Sequence, residues 1–162
     1  HNLASALGNE KRLHEALGIG QGLLATTRRL YGEDDGRTID ASEDVAIVRR
    51  RLGGEENLQF ALQTLQRTYD WRTRHDGHED EETLDSAGQL ADCFRLLGDY
   101  DSAEAHERQT LAAVRRVNGE TDYRYFVCVN QFVKTLCRQN KFDEARALME
   151  KHIPIIYTHS RP

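Results

Sequence analysis

One loop of the sequence concentrates side chains that can bind a metal ion. His75 and His78 lie three residues apart, and the acidic stretch from Glu79 to Glu82 follows directly. Histidine nitrogens and carboxylate oxygens together can hold a divalent cation. The same residues precede a helix that should begin near Thr83, and acidic groups ahead of a helix stabilise its N-terminus. We therefore expect a helix-capping loop here, and the sequence predicts no metal site.

Two further patterns bear on catalysis. His14-Glu15 would open a zinc-protease motif, but Gly18 stands where that motif needs its second histidine. The glycines at positions 18, 20 and 22 have neither the preceding strand nor the spacing of a dinucleotide-binding loop. No acid, base and nucleophile converge elsewhere. We expect no catalytic residues, no cofactor and no enzymatic activity.

The cysteines argue against a disulfide framework and against a structural zinc site. Cys93, Cys128 and Cys137 are odd in number and contain no Cys-x-x-Cys pair. All three fall inside predicted helices, where no neighbouring histidine would activate a thiol. We expect reduced thiols that are buried or partly buried.

Length and charge limit the kind of protein. With 162 residues the chain has room for one ordinary domain. Asp and Glu outnumber Lys and Arg by 27 to 22 and no long basic run occurs, so binding to nucleic acid is disfavoured. No apolar stretch approaches the roughly 20 residues of a membrane span, and no signal-peptide pattern opens the chain. These features predict a soluble, cytoplasmic protein with no membrane partner.

The pattern of apolar residues is helical almost throughout. Leu, Ala, Glu, Gln and Arg recur at helical spacing, and the only prolines are Pro154 and Pro162. Stretches that contain glycine or asparagine interrupt this pattern and mark helix ends. We predict eight helices, at residues 1–9, 13–30, 39–52, 56–74, 83–97, 100–117, 123–138 and 142–158. Pro154 should kink or end the last of them.

An internal repeat arranges these helices in pairs. The apolar anchors of the first helices are 45, 42 and 42 residues apart: Leu3, Val48, Leu90 and Phe132. The second helices share a small residue at one phase: Ala16, Ala61, Ala103 and Ala145. The three extra residues of the longer spacing are expected between Asp40 and Val48, or near the turn that precedes them. Each hairpin has an apolar face that it cannot bury alone, so neighbouring hairpins must stack as a solenoid.

These residues resemble the tetratricopeptide repeat. The third repeat carries the pattern most completely, with Leu90, Ala91, Phe94, Gly98, Tyr100 and Ala103. The period near 42 and the loop at residues 32–34 resemble the kinesin-light-chain type. Residues 97–100 and 115–120 resemble arrays attached to actinobacterial ATP/GTP-binding signalling proteins. The loops lack the family's His-Pro pair, and the residues in place of Gly98 at the equivalent turns are Lys11, Glu56 and Asn140.

The resemblance implies a fold and a domain organisation. The fold class would be all-α, a right-handed α-solenoid of about four antiparallel helical hairpins. The chain would be one domain, residues 1–162, with repeats at about 1–37, 38–82, 83–124 and 125–162. Repeats 1, 2 and 4 would be degenerate and the first one truncated, in a fragment of a larger bacterial signalling protein.

The resemblance also implies a binding surface, because the first helices of such arrays line a concave groove in which peptides lie. The positions of this sequence at the groove phases are Asn2, Ser5, Glu43, Ile47, Arg50, Asp85, Gln89, Asp92, Gln131, Lys134 and Arg138. Glu43 and Asp85 would repel a peptide carboxylate, which argues against the chaperone-tail-binding subclass. The basic members could instead pair with an acidic stretch, and the Asn and Gln amides with a peptide backbone.

Two functions follow from this interpretation. The first is a non-enzymatic interaction module that binds a protein or peptide partner as part of a signalling protein. The alternative is a self-association module, a homo-oligomer formed when terminal repeats stack through exposed apolar faces.

Overall fold

The computed structural model of the protein describes residues 2–159, and the side chains of residues 10–152. Within that part of the chain the regular structure is helical, without strands. The described helices are α1 (Asn2–Tyr31), α2 (Gly36–Leu52), α3 (Glu55–His75), α4 (Glu81–Leu97), α5 (Tyr100–Asn118), α6 (Tyr123–Arg138) and α7 (Phe142–His159). They form two compact units, His1–Arg72 and Thr73–Pro162. Within the described residues, both units are therefore all-α.

Aspartates begin α2, α4 and α6. Asp35, Asp80 and Asp122 take extended backbone conformations just before these helices. Their carboxylates accept hydrogen bonds from first-turn backbone N–H groups at 3.0, 2.9 and 2.8 Å. These bonds satisfy donors that no helix carbonyl can reach, which fixes where each helix starts. The caps are spaced by 45 and 42 residues, as the predicted repeat requires.

Left-handed residues end the same three helices. Gly53 and Gly98 follow α2 and α4 with φ of 71° and 83°, a region that glycine enters without steric cost. At the equivalent turn after α6, Asn140 takes φ 61°, because asparagine tolerates this conformation better than most residues. The predicted ends of all three helices are confirmed.

The buried positions show how the repeats align. Every buried residue of α2 has a buried counterpart 45 residues later in α4, as Val45 and Leu90 do. The buried stripes of α3 and α5 instead align at 42 residues, as Ala61 and Ala103 do. The three extra residues therefore lie after Gly53, as about one additional turn at the start of α3, and not inside α2 as the sequence predicted.

The first repeat differs from its predicted form. The sequence predicted a turn near Gly8, but α1 continues without a break from Asn2 to Tyr31. Lys11 stands at the position equivalent to Gly98 and favours the helix, so the only glycine left at the predicted turn is Gly8, which costs about 1 kcal/mol in a helix. A long helix tolerates that cost. The described part of the chain accordingly has seven helices where eight were predicted.

The small residues of the second helices confirm this difference. Ala61, Ala103 and Ala145 are buried, with 0%, 0% and 4% of their surface exposed. Ala16 is exposed, because the preceding part of α1 continues along the helix axis instead of folding back over it. Close packing at an alanine therefore belongs to the hairpins that follow α1.

In the first unit, α1 packs on α2 through a small apolar core. Its buried residues are Leu24, Ala41 and Val45, and the partly buried Leu17 packs against them. Gly20 lies against this core, since a Cβ added there would come within 3.2 Å of Val45 Cγ2. The equivalent atoms at Gly18 and Gly22 would meet nothing within 4 Å. Of these three glycines, only Gly20 lies so close to a neighbouring helix that a side chain would be crowded.

In the second unit, α5 contacts both α4 and α6, and α6 also contacts α7. One core joins α4, α5 and α6, and its buried members are Leu84, Ala113, Val114, Tyr125 and Val129. A second core joins α6 and α7 through Phe132, Leu136 and Ala145. The Tyr125 hydroxyl lies 2.7 Å from Nε2 of the buried His152, which ties α7 to α6.

Two local predictions need correction. Cys93 is buried and Cys128 half-buried as predicted, but Cys137 is exposed. It follows Leu136 by one residue and so points away from the buried stripe of α6. Of the two effects expected of Pro154, a kink or a helix end, the helix end is wrong, since α7 continues past this proline to His159.

Replacing Ala103 with leucine should lower the free energy of unfolding by about 1–3 kcal/mol, because the buried contact has no room for a larger side chain. Ala112→Leu, on the exposed face of the same helix, should change it by less than about 0.5 kcal/mol. Denaturant unfolding of the two variants measures the difference. Equal destabilisation at both positions would contradict the packing described here.

Candidate functional site

A cleft opens between α4, α5 and α6 of the second unit, with a volume of about 360 Å³. Volumes of this size are at the lower end of those that hold ligands in proteins. Four of the predicted groove positions line it: Asp85, Gln89, Asp92 and Gln131. The structure thus brings together candidate residues of α4 and α6, with α5 as the floor between them.

Glu107 of α5 lines the cleft and is only 6% exposed. Neither carboxylate oxygen makes a hydrogen bond of standard geometry with a described residue. Removal from water raises the pKa of Glu107 to about 7, while the Thr135 hydroxyl and the charge of Arg95 partly offset this rise. The charges of Asp92 and Glu104 raise the pKa further. The carboxyl can therefore gain or lose its proton near neutral pH.

The charged residues around the cleft are mostly acidic. Its four acidic residues are Glu81, Asp85, Asp92 and Glu107. Arg124 is the one basic residue among the side chains that line the cleft, and it donates a hydrogen bond to Glu81. Asp92 accepts a hydrogen bond from Arg95, one helical turn further along α4. The cleft consequently carries an excess of negative charge, which is largest when Glu107 is ionised.

The remaining wall of the cleft is largely apolar. Leu84 of α4, Val114 of α5 and Val127 of α6 contribute aliphatic surface. The half-buried thiol of Cys128 also lines it, and burial raises the pKa of this thiol to about 11. The thiol therefore stays protonated near neutral pH, unlike a reactive nucleophile.

The basic candidates of α6 lie outside the residues that line the cleft. Lys134 Nζ donates a hydrogen bond to Gln131 Oε1 at 3.0 Å. Arg138 is exposed in the last turn of α6. Basic groups thus follow the acidic cleft along the same helix.

The candidate Glu43 of α2 has a structural contact in the first unit. It is 13% exposed, and its Oε2 accepts a hydrogen bond from Arg72 of α3 at 3.0 Å. The same guanidinium donates to Asp40 at 2.7 Å. Arg72 itself is buried, and its charge is balanced by the partly buried Glu43 and by the exposed Asp40.

The alignment of α2 with α4 also changes the phase of Ile47 and Arg50. Both are half-buried, and they stand three residues later in the repeat than the sequence predicted. Ile47 therefore corresponds to Asp92. The side chains of Asn2 and Ser5 lie outside the described residues.

Sequence reasoning missed Glu107 because it searched only the first helices for ligand contacts. A signal was present, since Glu107 lies in the buried stripe of α5 with Ala103, Thr110 and Val114. At the same phase of α3 stands Leu65, which is fully buried. A carboxylate at a position where another repeat buries leucine is unusual, and this contrast could have indicated Glu107 as a candidate functional residue.

The loop with His75 and His78 does not form a metal centre among the described side chains, none of which group three or more His, Cys, Asp or Glu around one point. Asp80 of this loop instead caps α4. As for membranes, no helix within residues 2–159 combines the length and apolar character that a span requires.

Glu107→Gln should stabilise the protein in a pH-dependent way. The pKa of about 7 in the folded state exceeds the ordinary value of 4.5, so the native state binds the proton more tightly than the unfolded state. Native stability therefore falls as the pH rises from about 4.5 through about 7. The gain from Glu107→Gln should be small at about pH 5 and reach about 1–3 kcal/mol at about pH 8.

Urea unfolding at the two pH values measures this gain. Glu150→Gln serves as a matched control, because Glu150 is exposed on α7, and should shift stability by less than about 0.5 kcal/mol at both pH values. A gain for Glu107→Gln that does not change with pH would contradict the burial of an ionisable Glu107.

Comparisons with known proteins agree with this architecture. Two family profiles described as tetratricopeptide repeat match residues 1–35 and 54–116, which together make up more than half of the chain. No curated protein matches the chain significantly.

Solved structures share the fold. A Podosopora anserina protein assigned as a kinesin light chain with nearly identical TPR-like repeats superposes with a TM-score of 0.83 at 16% identity, over 99% of this chain and 75% of that one. A single-substitution variant of it gives the same TM-score and identity, over 99% and 74%. BtubC (BKLC) from P. vanneervenii gives 0.80 at 13% identity, over 94% of this chain and 60% of that one.

The helical pairs, their regular caps and the buried alanines therefore have a common explanation. The fold is an all-α helical-repeat solenoid of the kinesin-light-chain-like type, and the chain belongs to the tetratricopeptide repeat family.

Proposed function

We propose that this protein is a non-enzymatic interaction module that binds a peptide or protein segment along the first helices of its repeats. Tetratricopeptide repeats are generally protein-interaction modules. The observation that carries the proposal here is the cleft between α4, α5 and α6, which four of the predicted groove residues line. Its concave, mostly apolar wall with a few polar groups is typical of a binding site.

The polar groups of the cleft suit an extended peptide. Gln89 on α4 and Gln131 on α6 line it from two helices. Each amide has both donors and an acceptor, so it can pair with peptide N–H and C=O groups whatever the peptide sequence. Gly88 keeps the α4 side open, because a Cβ built there would meet nothing within 4 Å. These features support a segment that lies across the cleft.

We further propose the setting that the sequence resemblance implies. The module would be one domain of four repeats, at about 1–37, 38–82, 83–124 and 125–162, within a larger cytoplasmic signalling protein of bacterial origin. The net charge of −5 and the acidic cleft support a protein partner over nucleic acid.

A second candidate function is self-association through α1. Ile19, Leu23 and Leu30 are 76%, 50% and 58% exposed, and they recur on one side of the helix with the exposed Ala16. This spacing of three and four residues is the one that lets helices pair through a continuous apolar seam. The stripe therefore supports contact between two copies of the chain.

Gly88→Leu tests the binding function directly. Leucine favours the helix more than glycine does, so the variant should fold, but its side chain should project into the cleft. Peptides selected from a random display library on the wild-type protein should bind Gly88→Leu at least about tenfold more weakly. Gly88→Ala, a matched control that leaves most of the cleft open, should bind them within about twofold. Selected peptides that bind Gly88→Leu as tightly as wild type, or a selection that enriches none, would contradict this proposal.

Sedimentation velocity over a concentration series tests the second candidate. The wild-type chain should form dimers as concentration rises, and Leu23→Glu should remain monomeric because it places a charge in the apolar stripe. Gln21→Glu, an exposed change outside the stripe, should dimerise like wild type. A wild-type chain that stays monomeric throughout the series would rule out self-association.

A further inference from the structure

Among the described side chains, each unit buries one acidic or basic residue in the stripe of a second helix. In the first unit Arg72 is 6% exposed, and its guanidinium donates to Asp40 and Glu43. In the second unit Glu107 is also 6% exposed, but its two oxygens make no ion pair and no hydrogen bond of standard geometry with a described residue, and only the Thr135 hydroxyl stands close enough to act on them as a donor. A buried charge normally carries its counter-ion, because desolvation without compensation is costly. Glu107 thus differs from Arg72 in having an open cleft where the counter-ion would stand.

The basic groups around Glu107 already have other partners. Arg95, whose charge acts on Glu107, donates its hydrogen bond to Asp92. Arg124, on the cleft wall, pairs with Glu81. Since four acidic residues and one basic residue line the cleft, its electrostatic potential favours a cation.

The shape of the cleft selects among cations. A divalent metal would need several ligands around one point, and no such group exists among the described side chains. Leu84, Val114 and Val127 instead offer aliphatic surface beside the carboxylates. This combination fits a cation on an aliphatic stem, because such side chains bury the stem and keep the charged head near its partner.

We propose that the cleft binds a lysine or arginine side chain from a basic segment of the partner, with its cationic head on Glu107 and its stem against Leu84 and Val114. This inference rests on the proposed function, because it names the ligand chemistry of the same cleft. Binding would give a charged partner to the one buried carboxylate that has no hydrogen bond of standard geometry among the described residues. Gln89 and Gln131 would hold the backbone on either side of the bound residue.

Four fluorescent peptides of one length test this proposal. Each alternates alanine with lysine, arginine, acetyl-lysine or glutamate, and binding to the full chain is followed by fluorescence anisotropy at about pH 8 and about 0.15 M salt. The lysine and arginine peptides should bind. The acetyl-lysine peptide keeps the stem but not the charge, so it should bind at least about tenfold more weakly, and the glutamate peptide should not bind.

Glu107→Gln should weaken binding of the lysine peptide about tenfold. This variant is expected to be more stable than wild type at pH 8, so a loss of affinity would not come from unfolding. Glu150→Gln removes an exposed carboxylate outside the cleft and controls for the change in net charge. It should bind the lysine peptide within about twofold of wild type.

Three results would overturn the inference: equal affinity for the lysine and acetyl-lysine peptides, equal affinity of wild type and Glu107→Gln, or no binding of the lysine peptide up to about 1 mM. The proposed function fails by a different result. Display-selected peptides that lack Lys and Arg but lose affinity for Gly88→Leu would preserve the binding function and overturn only the cation. Selected peptides indifferent to Gly88→Leu would overturn both.

Discussion

Among the described side chains, each helix buries a narrow stripe that a neighbouring helix must cover. That constraint explains the repeat, because a hairpin alone leaves its apolar face in water. Aspartate caps and left-handed residues hold the first helices to nearly equal lengths, so that their buried stripes recur at the same positions from one repeat to the next. Where one of these devices is missing, as at Lys11, the chain stays helical and the hairpin does not form.

The same packing creates the candidate site. In the second unit α5 contacts both α4 and α6. Each residue in the buried stripe of α5 is therefore held between these helices, whether it is apolar or charged. At the phase where α3 buries Leu65, α5 buries Glu107. The fold thus holds a carboxyl group out of water at the floor of a cleft, at a cost in stability that a ligand cation would offset. Proteins commonly accept such a cost at functional sites.

Much of the fold could be predicted from the sequence, because glycine, asparagine and aspartate mark helix ends by local chemistry. The ends of α2, α4 and α6 were predictable for that reason. The absence of a turn near Gly8 could not be predicted in this way. A single glycine only weakens a helix, and a turn forms there only if tertiary contacts stabilise it. The position of the three extra residues was also missed, because sequence periodicity alone cannot separate one helical turn from the next. For the site, the alignment of the repeats was enough to predict Gln89 and Gln131 as groove residues. The role of Glu107 depends on its burial, which is visible only once the helices are packed together.

The central claim is that helix packing removes Glu107 from water inside an open cleft. The titration of its side-chain carboxyl carbon by ¹³C NMR, assigned by the signal that disappears in Glu107→Gln, tests that claim most directly. The account predicts a midpoint at about pH 7 in the free protein. A midpoint near the ordinary glutamate value of 4.5 would show that the carboxyl is hydrated, and would contradict both the packing of α5 and the site built on it.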